Sequence, residues 1–216
     1  MERKEKIARR YDHWSPFYDT IDTFPLIGRA EKRWRLYAID SLKLKGNERV
    51  LDVGTGSGLI LPWIGERLTT GQIIGVDISD KMLKRAEQRV RRAGMSDLIL
   101  LKKMDAEHLA FDDGFFHAII STFTFTSVPD PEGTLNEVVR VLAPGGRLVT
   151  LDTGRPQNIA LKMLFPMLRF TARTFGYTYI DRPIPELLYS CEGIDVVEEK
   201  RFFGGMVYCI TCIKQT

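Results

Sequence analysis

Cysteine is scarce in this chain, with three thiols, Cys191, Cys209 and Cys212, in 216 residues. Three cannot build a disulfide framework, which excludes the small cross-linked secreted scaffolds and fits a reducing compartment. Cys209-x-x-Cys212 has the spacing of a redox pair or half a zinc site, but it lies inside an apolar, strand-like run with no second pair and reads as two packed thiols. Long apolar runs are missing as well. No stretch reaches the ~18 apolar residues of a membrane-spanning helix. Met1-Glu2-Arg3-Lys4-Glu5-Lys6 has no signal-peptide core behind it, so the expected location is the cytoplasm. Charge of one sign is also lacking: 31 Lys and Arg against 28 Asp and Glu leave +3, too little to argue for a nucleic-acid partner.

What is present is the composition of a globular protein, 44% hydrophobic and 27% charged, at a length that suits one domain. The most informative stretch is Arg49-Val50-Leu51-Asp52-Val53-Gly54-Thr55-Gly56-Ser57-Gly58. A short apolar run of this kind reads as a buried parallel strand, and the glycines after it allow a sharp turn and close approach to a ligand. Leu59 stands where a dinucleotide fingerprint G-x-G-x-x-G needs its third glycine, which argues against a nicotinamide site. A second run, Ile73-Ile74-Gly75-Val76, ends in Asp77, placed like the acid that takes ribose hydroxyls in doubly wound nucleotide sites. The two strand ends describe a nucleoside-binding crevice.

Strand and helix then alternate from residue 48. The pattern predicts strands over 49–53, 72–77, 98–103, 117–121 and 146–151, and helices over about 58–68, Ser79 or Asp80 to Arg92, and Pro131 to Leu142. In the 80–92 helix Met82, Leu83, Ala86 and Val90 form the apolar stripe, while Lys81, Lys84, Arg85, Arg89, Arg91 and Arg92 read as a solvated face. Two closing strands, about 194–202 and 206–213, are joined by Gly204-Gly205, a two-glycine hairpin. The expected fold is α/β, a doubly wound, mostly parallel seven-stranded sheet with a C-terminal antiparallel hairpin.

Two segments fall outside that alternation. Residues 1–45 are basic and aromatic, and the pattern predicts two helical pieces broken at Pro16; the second piece, Gly28 to Leu42, carries Arg29, Lys32, Arg33 and Arg35. Such a cap either staples itself to the sheet, with solvated charges, or acts as a lid that points Tyr11, His13 and Tyr18 into the crevice. Residues 157–175 read as a helical insert rich in Leu, Met and Phe with Lys162, Arg169 and Arg173 on one side, kinked at Pro166. It suits either a core-packing insert with snorkelling bases or peripheral contact with a membrane surface.

Four motifs resemble one family, the class I S-adenosylmethionine-dependent methyltransferases: Leu51-Asp52-Val53-Gly54-Thr55-Gly56-Ser57-Gly58, Gly75-Val76-Asp77-Ile78-Ser79, Asp105-Ala106-Glu107-His108-Leu109-Ala110-Phe111, and Val141-Leu142-Ala143-Pro144-Gly145-Gly146-Arg147-Leu148. They stand in the family's order and cover roughly residues 46–152. The resemblance implies one methyltransferase domain over 1–216, with a helical lid at 1–45, a cofactor core at 46–152, and a substrate-side insert and closing strands at 153–216. It implies S-adenosylmethionine as cofactor, S-adenosylhomocysteine as product, and no metal.

Within it, Gly54 and Gly56 would let the backbone approach the cofactor where a side chain would collide. Asp52 would orient the loop and take the methionine amino group, Asp77 both ribose hydroxyls, Ile78 an adenine face, Asp105 the adenine amino group, the Ala106 backbone a ring nitrogen, and Ser121 the methionine end. Of three histidines, His117 at a strand start reads as structural and His108 as peripheral. His13 alone has a path to substrate, with Tyr18 beside it as the other catalytic candidate.

The branch is narrower still. Asp105 to Phe111 and Phe203-Gly204-Gly205-Met206-Val207 look like the menaquinone and ubiquinone C-methyltransferases, but where those place an Arg-Asn pair this chain has Thr126 and Ser127. Ser127-Val128-Pro129-Asp130-Pro131-Glu132 and the Tyr11 to Asp19 segment are similar to bacterial phosphatidylethanolamine N-methyltransferases. The expected acceptor is therefore an amphiphile, first the amine of a phospholipid headgroup, whose cation Tyr11, Trp14, Tyr18, Phe123 and Phe125 would cage. The alternatives are C-methylation of a prenylated quinol or methylation of another small hydrophobic acceptor and, from another class, a non-catalytic S-adenosylmethionine-binding protein.

Overall fold

The computed structural model describes residues 25–174 and 179–216. Seven strands, β1 (Arg49–Val53), β2 (Gln72–Asp77), β3 (Ile99–Lys103), β4 (Phe116–Thr122), β5 (Leu142–Thr153), β6 (Ile194–Phe202) and β7 (Val207–Lys214), form one sheet in the order β3-β2-β1-β4-β5-β7-β6. β3 through β5 pair in parallel; β7 runs antiparallel to both β5 and β6. The helices are α1 (Pro25–Ser41), α2 (Leu61–Gly65), α3 (Asp80–Arg92), α4 (Pro131–Val141), α5 (Ile159–Thr174) and α6 (Ile184–Ser190). The expected doubly wound, mostly parallel sheet with an antiparallel end is what the chain forms. The expected lid residues before Pro25 lie outside the described residues, as does the side chain of Arg173.

Strand alternation sorts the core into two layers. Leu51, Val53, Ile119, Leu148, Tyr208, Ile210 and Cys212 face α4 and α6, while Val50, Ile120, Val149, Leu151 and Cys209 face α1 and α2. Cys209 and Cys212, an odd number of positions apart, thus point to opposite faces and cannot join. Burial pushes both thiols up to about 12, so they stay protonated.

The differences from expectation lie in the connections. The helix expected over 58–68 shrinks to Leu61–Gly65, because Gly58 sits at φ +71, outside helical space, and Pro62 lies in the first turn. The Gly204-Gly205 hairpin is a 3-10 turn over Phe203–Gly205 with both glycines left-handed. β5 begins four residues earlier than the 146–151 pattern suggests, and a register shift opposite Phe116 and Ala118 accommodates Pro144-Gly145-Gly146. α6 has no counterpart in the sequence reading; seven residues with Pro185 in the first turn are too few for a helical period to stand out. α3 follows its pattern closely, with Ser79 accepting the Met82 amide as N-cap and Gly94 left-handed just past the end.

Candidate active site

The carboxyl ends of the parallel strands gather the expected residues on one edge. In register, Asp52 lies beside Gly75 on one side and Ile120 on the other, and Val53 beside Ser121. The glycine turn folds toward β2: the Thr55 amide donates to the Val76 carbonyl at 2.9 Å and the Gly56 amide to Asp77 Oδ2 at 2.9 Å. Asp77 Oδ1 accepts from the Ser79 amide at 2.8 Å. With an amide on each oxygen, the carboxylate is fixed in orientation at the end of β2. Ile78 follows, half-buried. Met104 donates its amide to the Asp77 carbonyl, which brings the Asp105 turn alongside; there Asp105 Oδ1 accepts from the Glu107 amide at 3.0 Å, and Ala106 is half-buried.

The two glycines play different parts. A Cβ on Gly56 would meet nothing nearer than the Gly54 carbonyl at 4.0 Å, so open space fronts it. A Cβ on Gly54 would lie 2.3 Å from Thr124 Oγ1, so at Gly54 the excluded volume belongs to the chain itself, and the correction is that this glycine makes room for the turn after β4. Thr124 Oγ1 in turn donates to the Val53 carbonyl at 3.0 Å, tying that turn to β1.

Two buried polar atoms here want a partner. Asp52 Oδ2 accepts the Thr55 hydroxyl, while Asp52 Oδ1 and Ser121 Oγ have no hydrogen-bond partner among the described residues. Burial raises the Asp52 carboxyl to about 7, with the Thr55 hydroxyl and the Arg35 charge acting in the opposite direction. An orphaned, fully buried carboxylate oxygen suits a cationic donor group, and the orphaned serine beside it suits a polar one. Thr153 Oγ1, at the end of β5, and Tyr208 Oη, near the start of β7, likewise have no partner among the described residues.

The turn after β4 corrects several expectations. Phe123 takes φ +58, an outlying conformation for a bulky residue. Phe125 is 1% exposed and packed into the core layer under α4 and α6, so it is core rather than part of a cage. Thr126 is fully buried, and both its amide and its hydroxyl donate to Asp152; the Ser127 hydroxyl donates to the Phe123 carbonyl. Both side chains are thus spent on the turn itself. Arg182 donates to the carbonyls of Phe125 and Val128 and lies over the Tyr179 ring.

Sequence reasoning missed three arginines. Arg89, assigned to a solvated face, donates to the carbonyl and hydroxyl of Ser57 and braces the glycine turn from α3. Arg140 donates to the carbonyls of Leu109 and Phe111 and to Glu137, fixing the loop after Asp105. Arg35 of α1 donates to Thr122 Oγ1 at 2.8 Å and covers the Phe123 ring, and so reaches the crevice rather than solvent. His117 is structural, accepting the Arg49 amide on Nδ1, and His108 is exposed. Asp105, Glu107 and His108 have ligand-type atoms within 4.8 Å of one another; Glu107 Oε1 there accepts the Asp130 amide. Tyr11, His13, Trp14 and Tyr18 lie outside the described residues.

This fold and edge define a nucleoside-binding class of doubly wound protein, and the comparisons state which. Residues 51–150 match the family described as "Methyltransferase domain". A ubiquinone/menaquinone biosynthesis C-methyltransferase of Geotalea daltonii is 32% identical over 165 residues, 76% of this chain and 70% of that protein. A demethylmenaquinone methyltransferase of Thermus thermophilus is 35% identical over 151 residues, 70% and 67% of the two chains. The chain belongs to the S-adenosylmethionine-dependent methyltransferase family. It spans 66% of the length of a similar demethylmenaquinone methyltransferase of Bacteroides fragilis and 64% of one of Lactiplantibacillus plantarum. Among solved structures, a geranyl diphosphate C-methyltransferase of Streptomyces coelicolor bound to S-adenosyl-L-homocysteine shares the fold at TM-score 0.73 and 16% identity, covering 88% of this chain and 81% of that one.

Proposed function

We propose that this chain transfers the methyl group of S-adenosylmethionine to a ring carbon of a quinol-type acceptor that carries an apolar tail. The observation behind it is the 31–35% identity to proteins named as demethylmenaquinone and ubiquinone/menaquinone C-methyltransferases. The first expectation, a phospholipid amine, finds no such support and gives way to the quinol alternative.

S-adenosylmethionine supplies an electrophilic methyl group on a sulfonium. What this chain's residues do is hold, align and keep dry. Asp52 and Ser121 take the amino-acid end, Asp77 the ribose, and Ile78, Asp105 and the Ala106 backbone the adenine. A quinol carbon becomes nucleophilic as its ring oxygen gives up a proton; once methylated, that carbon releases its hydrogen as a proton and the oxygen regains one, which restores the aromatic quinol. His13 and Tyr18 are the candidates for carrying these protons. Tyr11 and Trp14, with Phe123, are the candidate acceptor contacts. An isoprenoid acceptor resides in membrane, and α5 presents Ile159, Met163 and Leu164 at 73%, 79% and 50% exposure beside Lys162 and Arg169. That combination suits peripheral contact with an anionic bilayer.

The test is incubation with methyl-labelled S-adenosylmethionine and, separately, demethylmenaquinol or phosphatidylethanolamine in detergent micelles. The expected result is labelled menaquinol and equal S-adenosylhomocysteine. Label on the phospholipid alone overturns the reading, and cofactor binding with no release on either acceptor points to the non-catalytic binder.

A further inference from the structure

Four buried side-chain polar atoms lack a partner among the described residues, and the assignments above use two of them, Asp52 Oδ1 and Ser121 Oγ. The other two, Thr153 Oγ1 and Tyr208 Oη, point to opposite faces of the sheet. Tyr208 lies in the layer under α4 and α6. Thr153, two positions beyond Leu151 on β5, shares the face of Leu151 and so looks toward α1. That face is apolar around it. In register across the sheet Thr153 pairs with Val207 and Val207 with Phe202, whose ring stacks 6.0 Å from that of Trp34 on α1. On the other side the Phe123 amide donates to the Leu151 carbonyl at 2.7 Å, which sets the turn after β4 beside the end of β5 and the Phe123 ring in the layer of Leu151 and Val207. The backbone of Thr153 is held in place, its own amide donating to Asp152 Oδ1 at 2.7 Å and that of Gly154 to the Met206 carbonyl at 2.9 Å.

A hydroxyl closed off from water with no partner is a cost to the empty fold, and it is recovered when a ligand brings the partner. One such hydroxyl in an apolar wall, at the carboxyl end of a parallel strand, is the pattern of a small-molecule subsite. It complements an aromatic ring that carries an oxygen. We propose that Thr153 Oγ1 donates a hydrogen bond to the ring oxygen of the acceptor, with the ring lying against Phe123 and the row of Val207 and Phe202. The assignment rests on the quinol-type acceptor of the reading above. Thr153 takes no proton itself. Negative charge grows on the ring oxygen as its proton leaves, and a fixed hydroxyl donor in a buried site holds that charged oxygen more strongly than the neutral one. The same bond sets which ring carbon meets the methyl group, since the transfer needs donor and nucleophile in line.

Thr153→Val keeps the shape and removes the hydroxyl; Thr153→Ser keeps the hydroxyl. Each is compared with wild type in methyl transfer from S-adenosylmethionine to demethylmenaquinol in detergent micelles, in calorimetric titration with S-adenosylhomocysteine, and in thermal unfolding. Thr153→Val is expected to lower kcat/KM roughly tenfold to a hundredfold, with most of the loss in kcat because the bond strengthens as charge develops. Thr153→Ser is expected to recover most of it. Affinity for S-adenosylhomocysteine should change less than about twofold, since the cofactor's partners lie elsewhere on the edge. The unfolding midpoint of Thr153→Val should not fall, because an unpartnered hydroxyl contributes nothing to the empty fold. A joint fall in rate, affinity and midpoint overturns the assignment and makes the hydroxyl a brace of β5. Unchanged kcat/KM in Thr153→Val overturns it as well and leaves the acceptor oxygen to other groups. Wild type that binds S-adenosylhomocysteine but methylates no quinol overturns the acceptor reading, and Thr153 with it, before any variant is compared.

Discussion

Asp52 and Thr55 share a single hydrogen bond, 2.6 Å from the Thr55 hydroxyl to Asp52 Oδ2, and it is the only one the Asp52 carboxylate makes among the described residues, although the side chain is 1% exposed. A carboxylate so poorly solvated in the fold binds its proton more tightly there, at about 7, than the ordinary value of 3.8. The folded protein therefore retains a proton that the unfolded chain has released between those values. The stability from this group is present below about 4 and lost as pH rises through about 7. Thermal unfolding of ligand-free protein across pH 4 to 8 is expected to show that decline, and Asp52→Asn to flatten it.

Ligand binding runs the other way. An ammonium group prefers ionised Asp52, so affinity for S-adenosylhomocysteine is expected to rise with pH through about 7. One unit below that value only about a tenth of the carboxyl is ionised, and affinity falls roughly tenfold. Titrations at pH 6 and pH 8 read it directly; a pH-independent affinity would remove Asp52 from the ammonium.

Gly54→Ala forces a Cβ to within 2.3 Å of Thr124 Oγ1 at φ +69. The left-handed backbone costs about 1–2 kcal/mol and the overlap about 1–3 more. Denaturant unfolding is expected to show a loss of that size, and Thr124→Gly in the same chain to recover only part of it, since it relieves the overlap but also removes the hydrogen bond to the Val53 carbonyl.

Asp152 accepts from the Thr126 amide, the Thr126 hydroxyl and the Thr153 amide, and burial raises it to about 6. Asp152→Ala strands these buried donors, at about 1–3 kcal/mol each before relaxation. The turn carrying Phe123 and Thr124 loosens with it, so stability should fall by several kcal/mol, roughly, while Thr126→Val, which removes one donor of the set, costs about 1–2. Chemical denaturation of the two variants ranks them.

For α5, Ile159→Glu with Met163→Glu is expected to abolish flotation with anionic vesicles while leaving S-adenosylhomocysteine affinity unchanged. Persistent flotation of the double variant would place any membrane contact elsewhere.

The local pattern determined a good deal by itself. Apolar runs fixed β1 and β2 to the residue, since strands buried on both faces read so whatever surrounds them; β3, an edge strand with Leu100 41% exposed, was placed within one residue, and the cap and left-handed glycine of α3 are chemistry that acts over four residues. The strand-end acids Asp52, Asp77 and Asp105 were legible because topology alone brings the carboxyl ends of adjacent parallel strands to one edge. What lay beyond the sequence depends on partners far along the chain. Arg35 and Thr122 are 87 positions apart, Arg89 and Ser57 are 32, and Asp152 and Thr126 are 26. A helical wheel marks Arg89 and Arg35 as surface charges, because nothing local says which neighbour will offer a carbonyl or a hydroxyl. Phe125 shows the same limit from the apolar side. Its position after β4 suggested a ligand cage, but the packing of α4 and α6 against the sheet, which only the folded chain supplies, closed the core over it.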